Sequence, residues 1–354
     1  MIYVLGTAMA LILSSISIQG KKRWKLTGAA SAKMVYIFFS WCSVIPLTLI
    51  SAIRFNVGTD FEAYYRIYLF PNLFPRLEKG FLLLVEIMRK ISMDPQFFFI
   101  LSSIAICGLV FWVTYKESIN IPYSILLFVI CRDYFRSMNG VRQYLAISIA
   151  LLALKYIKQK SLLKFSVIVI IATTIHSIAA VFFLLYALNY IEVSPSKVLF
   201  FVASLFLLGG IFTTVLYPII DKYTVYGRYF KDNSGYSESD FSLVLVLMYL
   251  AMFVIVALKY HQRNERTRIL YNALFICLCV SVMTAFMPSN VSRITWVLNP
   301  IISLYWPESV RKIANARLKL FINIGVIIGY TFLTTYFVVI KGNQDVLPYL
   351  CFWS

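Results

Sequence analysis

Long apolar runs alternate with short polar interruptions along this chain, and the length of the runs sets the architecture. A helix needs about 20 apolar residues to cross the hydrocarbon core of a bilayer. "VLFFVASLFLLGGIFTTVLYPII" and "LFINIGVIIGYTFLTTYFVVI" reach that length without a charge. A transmembrane barrel would show ten-residue alternation instead, so the pattern predicts helices. By this length criterion there are about twelve spans, over residues 3–18, 34–53, 96–114, 121–136, 140–156, 165–176, 177–191, 197–216, 241–259, 269–287, 293–306 and 320–340. The segments 165–176 and 177–191 are short for full crossings and read as a broken or re-entrant pair meeting at His176. Residues 77–91, "LEKGFLLLVEIMRKI", are too short and too charged to span, and read as an amphipathic or re-entrant helix.

Composition points the same way. The 354 residues are 60% hydrophobic and 14% charged, with a mean hydropathy of +0.80, whereas a soluble domain carries about 25% charged residues. The expected class is all-α, a polytopic integral membrane protein forming one domain over residues 1–354. No linker, low-complexity tract or inverted repeat of the transporter kind stands out. The first apolar segment has no basic stretch before it, and "KKRWK" follows it. It therefore reads as a retained span with its N-terminus outside, not as a cleaved signal.

Cytoplasmic loops gather Lys and Arg, and "KKRWK", "KYIKQKSLLK", "KYHQRNERTR" and "RKIANARLK" all fall on one side of this arrangement. The inner loops then hold 19 basic and 4 acidic residues, and the outer regions 14 basic and 11 acidic. The net charge of +18 is thus mostly a topology signal. It gives no support to nucleic-acid binding, because the basic residues lie in separate short loops facing lipid headgroups and form no compact domain. The two sides also differ in kind. Inside there are 13 Lys and 6 Arg, outside 9 Arg and 5 Lys. The planar guanidinium fork suits phosphate and carboxylate, so the outer face is the candidate oxyanion site. The outer loops fall at about 54–95, 132–142 and 217–240.

Several familiar chemistries lack their motifs. The six cysteines are scattered through apolar segments, and the two histidines, His176 and His261, form no zinc pattern. There is no P-loop and no G-x-G-x-x-G. We expect neither a metal nor another cofactor.

The outer polar stretches carry the candidate chemistry. In "CRDYFRSMNGVRQYLAISIALLALKYI", Arg132 and Arg136 share a helical face, Asn139 and Gly140 supply a turn, and Arg142 and Gln143 open the next helix, whose N-terminus attracts anions. Three guanidiniums around a turn suit a diphosphate; the other reading is contact with lipid headgroups or with Asp133. His176, between two apolar half-segments, is either hydrogen-bonded structure or a proton-transfer or diphosphate-contacting group. The loop "YPIIDKYTVYGRYFKDNSGYSESD" offers aromatic faces for a sugar, Tyr226 among them, with Arg228 set between tyrosines; an interfacial aromatic belt is the alternative. Arg293 begins a span, either as an interfacial anchor or as a further phosphate ligand. The first outer loop, "RFNVGTDFEAYY", sets Arg54 before a Gly58-Thr59 turn, with Thr59 able to cap the helix that follows. Asp60 would open that helix, which carries Tyr64 and Tyr65. Asp60 has two readings, helix cap or partner of an acceptor hydroxyl.

"RFNVGTDFEAYY", "LEKGFLLL", "RQYLAISIALLALKYI", "TIHSIAAVFFLLYAL" and "NQDVLPY", in this order and spacing, resemble the EpsG subgroup of Wzy-type polysaccharide polymerases. The resemblance implies a GT-C-like membrane glycosyltransferase in the bacterial cytoplasmic (inner) membrane, with its active face periplasmic. Such an enzyme would transfer a growing O-antigen, capsule or exopolysaccharide glycan from undecaprenyl diphosphate to the non-reducing end of a lipid-linked repeat unit. It implies undecaprenyl-diphosphate-linked glycans as partners, with a flippase and a chain-length regulator alongside. Arg136, Arg142 and Arg293 are then the leading diphosphate ligands, with Arg54, Arg132 and Arg228 behind them. Asp60 or His176 would orient or deprotonate the acceptor, and Gly58, Thr59, Tyr64, Tyr65, Gln143 and Tyr226 would line the substrate. The competing functions are an O-antigen ligase and a flippase for the lipid-linked oligosaccharide. A flippase needs charges along a through-path, and here the polar residues cluster toward one face.

Overall fold

The computed structural model describes residues 1–211, 215, 219, 243–258, 264–283 and 293–353. Among the described residues the chain is helical, with a single isolated antiparallel bridge between Arg54 and Cys351. It divides into two compact units, Met1–Phe182 with Ser303–Ser354, and Phe183–Ile302.

In the first unit, α1 (Ile2–Thr27) ends where Gly28 adopts a left-handed φ of 67° and returns its N–H to the Trp24 carbonyl. α2 (Ala30–Cys42) and α3 (Ile45–Ala52) follow as one interrupted span. Pro46, near the start of α3, has no N–H to continue the helical ladder across the junction. α1 and α2 lie close: Ser17 donates to the Tyr36 carbonyl at 3.0 Å, and a Cβ on Gly20 would sit 2.9 Å from the Tyr36 nitrogen. The outer loop then forms α4 (Phe61–Leu69) and α5 (Lys79–Ile91). α5 buries Phe81, Val85 and Met88 at i, i+4 and i+7, and exposes Leu83 and Ile87, so the amphipathic reading of this segment holds. α6 (Pro95–Glu117) begins with Asp94 accepting from the Gln96 N–H at 2.8 Å and Pro95 at the first helical position.

Two further predicted spans are subdivided. In place of 121–136 there are α7 (Ile121–Ile130) and a short α8 (Asp133–Asn139), separated by Arg132 at φ 70°. A non-glycine residue in that region breaks the helical path. In place of 140–156 there are α9 (Val141–Leu151) and α10 (Leu154–Lys158). α11 (Leu162–Ile175) stops at His176, whose extended backbone (φ −153°, ψ 121°) leads into a 3-10 turn at Ser177–Ala180. The break between the paired half-segments thus falls at His176. α12 (Val181–Leu188) and α16 (Arg293–Arg311) run across the boundaries of the units, and α17 (Ala316–Thr334) continues into a π-turn at Thr335–Ile340. The second unit contains α13 (Pro195–Ile211), α14 (Leu243–Ala257) and α15 (Glu265–Met283). They pack through Phe201 against Phe275 at 6.0 Å and Phe253 against Tyr271 at 4.8 Å between ring centroids.

Among the described residues five segments are long and apolar enough to cross a membrane: Ile2–Thr27, Ala30–Ala52, Pro95–Glu117, Glu265–Met283 and Ala316–Ile340. Five further apolar helices are 10–17 residues long. Together these make a multi-pass membrane protein. Two long-range ion pairs tie segments of the first unit together. Lys158 pairs with Glu117, both assigned inside, and Arg142 meets Glu78, both assigned outside.

Candidate functional site

The polar stretches of the first unit converge. Gly58 N–H donates to the Asp345 carbonyl at 2.7 Å and Thr59 N–H to the Gln344 carbonyl at 3.3 Å. Asn139 Nδ2 donates to the same Gln344 carbonyl at 2.9 Å. "VGTD", "SMNG" and "NQDV" are therefore one knot. Gly58 is required there twice over. Its φ is 106°, and a Cβ would lie 2.7 Å from Asn139 Oδ1. The Thr59 hydroxyl, expected to cap α4, donates instead to Asn139 Oδ1 at 3.1 Å. Asp60 occupies the N-cap position of α4 but makes no side-chain capping bond, so the cap half of its double reading is not realised, and its carboxylate lies half-buried beside the knot.

Arg54 is 1% exposed and spends its guanidinium on protein groups. Nη1 donates to the Ser51 carbonyl and to Ser51 Oγ at 3.0 Å, Nη2 donates to the Met138 carbonyl at 3.1 Å, and the group lies over Phe99 at 5.0 Å. This arrangement clamps the end of α3 to the end of α8. Arg132 lies over Phe337 at 4.2 Å. Arg136 is buried, 3.7 Å from the Oδ1 of fully buried Asp133, which also accepts from the Tyr144 hydroxyl at 2.8 Å. Gln143 is buried too. The predicted arginine cluster therefore divides. Arg54, Arg132 and Arg136 face into the protein, and Arg142 has an accessible guanidinium, its side chain 21% exposed.

Around Arg142 three segments far apart in sequence meet. Its amide donates to the Tyr64 hydroxyl at 3.2 Å, its ring neighbour is Phe81 at 5.6 Å, and Nη1 donates to Glu78 Oε2 at 2.7 Å. The other oxygen of Glu78 accepts the Ser177 N–H at 3.0 Å and lies 3.9 Å from His176 Nδ1. His176 Nδ1 itself accepts the Ile178 N–H at 3.2 Å, so a neutral ring carries its proton on Nε2. Beside Glu78 opens a groove of about 500 Å³ lined by Glu78, Lys79, Gly80, Leu83, Thr173 and Thr174.

Glu78 is the residue that sequence reading passed over. Burial raises its pKa, but the Ser177 amide, Arg142, its own amide and His176 outweigh that and hold it below the ordinary 4.5. A depressed carboxylate contributes stability above its unfolded pKa and loses it as pH falls through the folded one. Thermal unfolding followed from pH 7 downward should therefore show wild type losing an advantage over Glu78→Gln below about pH 4.5. A constant difference across that range would contradict the assignment.

The remaining predicted residues lie elsewhere. Tyr65 is half-buried on α4 beside Phe61. Arg293 belongs to the second unit, with its guanidinium 5.4 Å from the Trp296 ring. Tyr226 and Arg228 lie outside the described residues. Among the described residues no group of three or more His, Cys, Asp or Glu could hold a metal ion.

In chemical terms, a guanidinium fork, a carboxylate held ionised and an imidazole meet beside an open groove at the N-terminal end of amphipathic α5. Such a site can receive an anion and a polyhydroxyl compound together. Among protein families, the model described as the EpsG family matches residues 37–351, which takes in every residue of this constellation. No curated protein and no solved structure matches the chain.

Proposed function

The chain belongs to the EpsG family, and on that premise we propose that it is a polysaccharide polymerase, a membrane glycosyltransferase that moves a growing glycan from undecaprenyl diphosphate to the non-reducing end of a lipid-linked repeat unit. The same reading takes the cytoplasmic membrane as its location, the outer side as its working face, and about twelve crossings with a GT-C-like arrangement. The observation that carries it is the meeting of Arg142, Glu78 and His176, brought together from three separate outer segments of a hydrophobic chain.

The chemistry demands such a group. When the sugar leaves a polyprenyl diphosphate, negative charge grows on the phosphate oxygens, and a fixed guanidinium lowers the barrier by meeting that charge in a water-poor site. Arg142 supports this role best, because its fork is partly exposed and its orientation is held by Glu78, Tyr64 and Phe81. Arg132 and Arg136, buried at the start of α8 and within it, would support the turn that leads to it. Gly58, Thr59, Asp60 and Asn139 would hold the loop that carries Tyr64 into place.

Deletion of the gene tests the reading. Lipid-linked glycans from the mutant, separated on a gel, should show one capped repeat unit and no ladder. Complete absence of the glycan would instead indicate a flippase. Polymer persisting unattached on its carrier would indicate a ligase.

A further inference from the structure

Glu78 stands at the border between the Arg142 fork and the α5–α11 groove. Its Oε2 faces Arg142, its Oε1 is tied to the Ser177 amide, and the same side chain forms one wall of the groove. The two helices approach so closely at the groove that a Cβ on Gly80 would lie 2.6 Å from the Thr174 carbonyl oxygen and 2.3 Å from its Oγ1. The hydroxyls of Thr173 and Thr174 donate back to the Ile170 and Ile171 carbonyls, each at 2.7 Å, so their oxygens remain available as acceptors. Lys79 supplies donors, and exposed Leu83 supplies an apolar surface. A sugar ring needs this combination: acceptors and donors for its hydroxyl rim and an apolar patch for its C–H face. The groove volume of about 500 Å³ falls within the range of about 300–1,000 Å³ common to small-ligand pockets.

We propose that this groove seats the acceptor's terminal sugar and that Glu78 takes the proton from its attacking hydroxyl. The inference rests on the polymerase reading and extends it. In the step, the acceptor hydroxyl oxygen forms a bond to the donor's anomeric carbon while the bond from that carbon to the diphosphate oxygen breaks. The electron pair of the broken bond leaves with the diphosphate toward Arg142, and the hydroxyl proton passes to a Glu78 oxygen. No oxidant, reductant or further reactant is needed. Glu78 thereby couples the two halves of the reaction, because the carboxylate that orients the leaving-group cation also receives the nucleophile's proton. Its low pKa keeps it ionised at neutral pH. The charged and titratable groups around it are Arg142, His176 and Lys79.

The test uses the full chain in detergent or nanodiscs with lipid-linked repeat units, donor and acceptor being varied separately. Glu78→Gln should lower kcat about 100-fold and leave the donor KM within about threefold of wild type, as expected when an interaction made only in the transition state is lost. Glu78→Asp, which keeps the carboxylate, should recover part of the kcat. Thr173→Trp, which fills the groove and leaves the Glu78 carboxylate in place, should raise the acceptor KM about tenfold and leave the donor KM unchanged. The inference is overturned if Glu78→Gln raises the donor KM without lowering kcat, since Glu78 would then only position Arg142. An acceptor KM unmoved by Thr173→Trp would equally remove the groove from the reaction. Wild-type protein that forms no polymer from these substrates would sink the polymerase reading itself, whereas polymer formed equally well by wild type and Glu78→Gln would sink this inference alone.

Discussion

On the polymerase reading, Arg142→Ala should abolish the polysaccharide ladder in cells and lower the rate of purified enzyme by about 100- to 1,000-fold, the cost of deleting one donor from a preorganised anion site. Arg76→Ala, a change at an exposed arginine of the first expected outer loop, should leave the ladder intact. The contrast matters because both substitutions remove one positive charge from one face. If charge alone steered the lipid diphosphate, the two would weaken polymerisation alike and salt would mimic them. Arg142→Lys separates charge from shape. It keeps the cation but loses the fork that fits a phosphate, so it should fall between wild type and Arg142→Ala. Stability is a poor alternative cause, since the Arg142–Glu78 pair is partly exposed and such pairs contribute about 0–1 kcal/mol. Unchanged thermal unfolding of Arg142→Ala, measured beside its activity, checks that point.

Asp133→Ala acts through the opposite logic. Asp133 is fully buried, with Arg136 at 3.7 Å and the Tyr144 hydroxyl at 2.8 Å. Removing one partner of a buried pair strands the other charge, at a cost of about 3–5 kcal/mol, a large part of the stability of an ordinary domain. The single variant should accumulate poorly and unfold early. Replacing both partners by apolar residues of similar volume, Asp133→Leu with Arg136→Met, should recover much of the loss, because a buried ion pair is often no more stable than a hydrophobic substitute. The double variant also decides what Arg136 does. If it folds and still polymerises, Arg136 is structural. If it folds at wild-type stability and is inactive, Arg136 belongs with the substrate.

Those two predictions rest on parts of the molecule that differed in how far the sequence disclosed them. The apolar runs, the amphipathic character of α5 and the break at His176 were legible, because each depends on local period or on one polar residue in an apolar setting. The subdivision of the predicted 121–136 span was not, since Arg132 was read within a helix and its left-handed backbone depends on surrounding packing. Glu78 was passed over because an acid beside a lysine, in "LEKG", has the look of a solvated charge. Its meaning comes from Arg142, 64 residues away, and Ser177, 99 residues away, and separations of that size carry no periodicity. Sorting charges by side narrowed the search to the segments assigned outside. It left the outer arginines looking alike, and only burial separates Arg142 from Arg54 and Arg136.

The knot at Gly58 also constrains how the protein is made. Its partners at Gln344 and Asp345 emerge from the ribosome nearly three hundred residues later, an interval of roughly 15–60 s at translation rates of about 5–20 residues per second. Through that interval the Arg54–Tyr65 loop must wait without the hydrogen bonds that shape it. The knot can therefore close only after most of the helices have been made, and a nascent chain stalled before residue 344 would carry this loop unassembled.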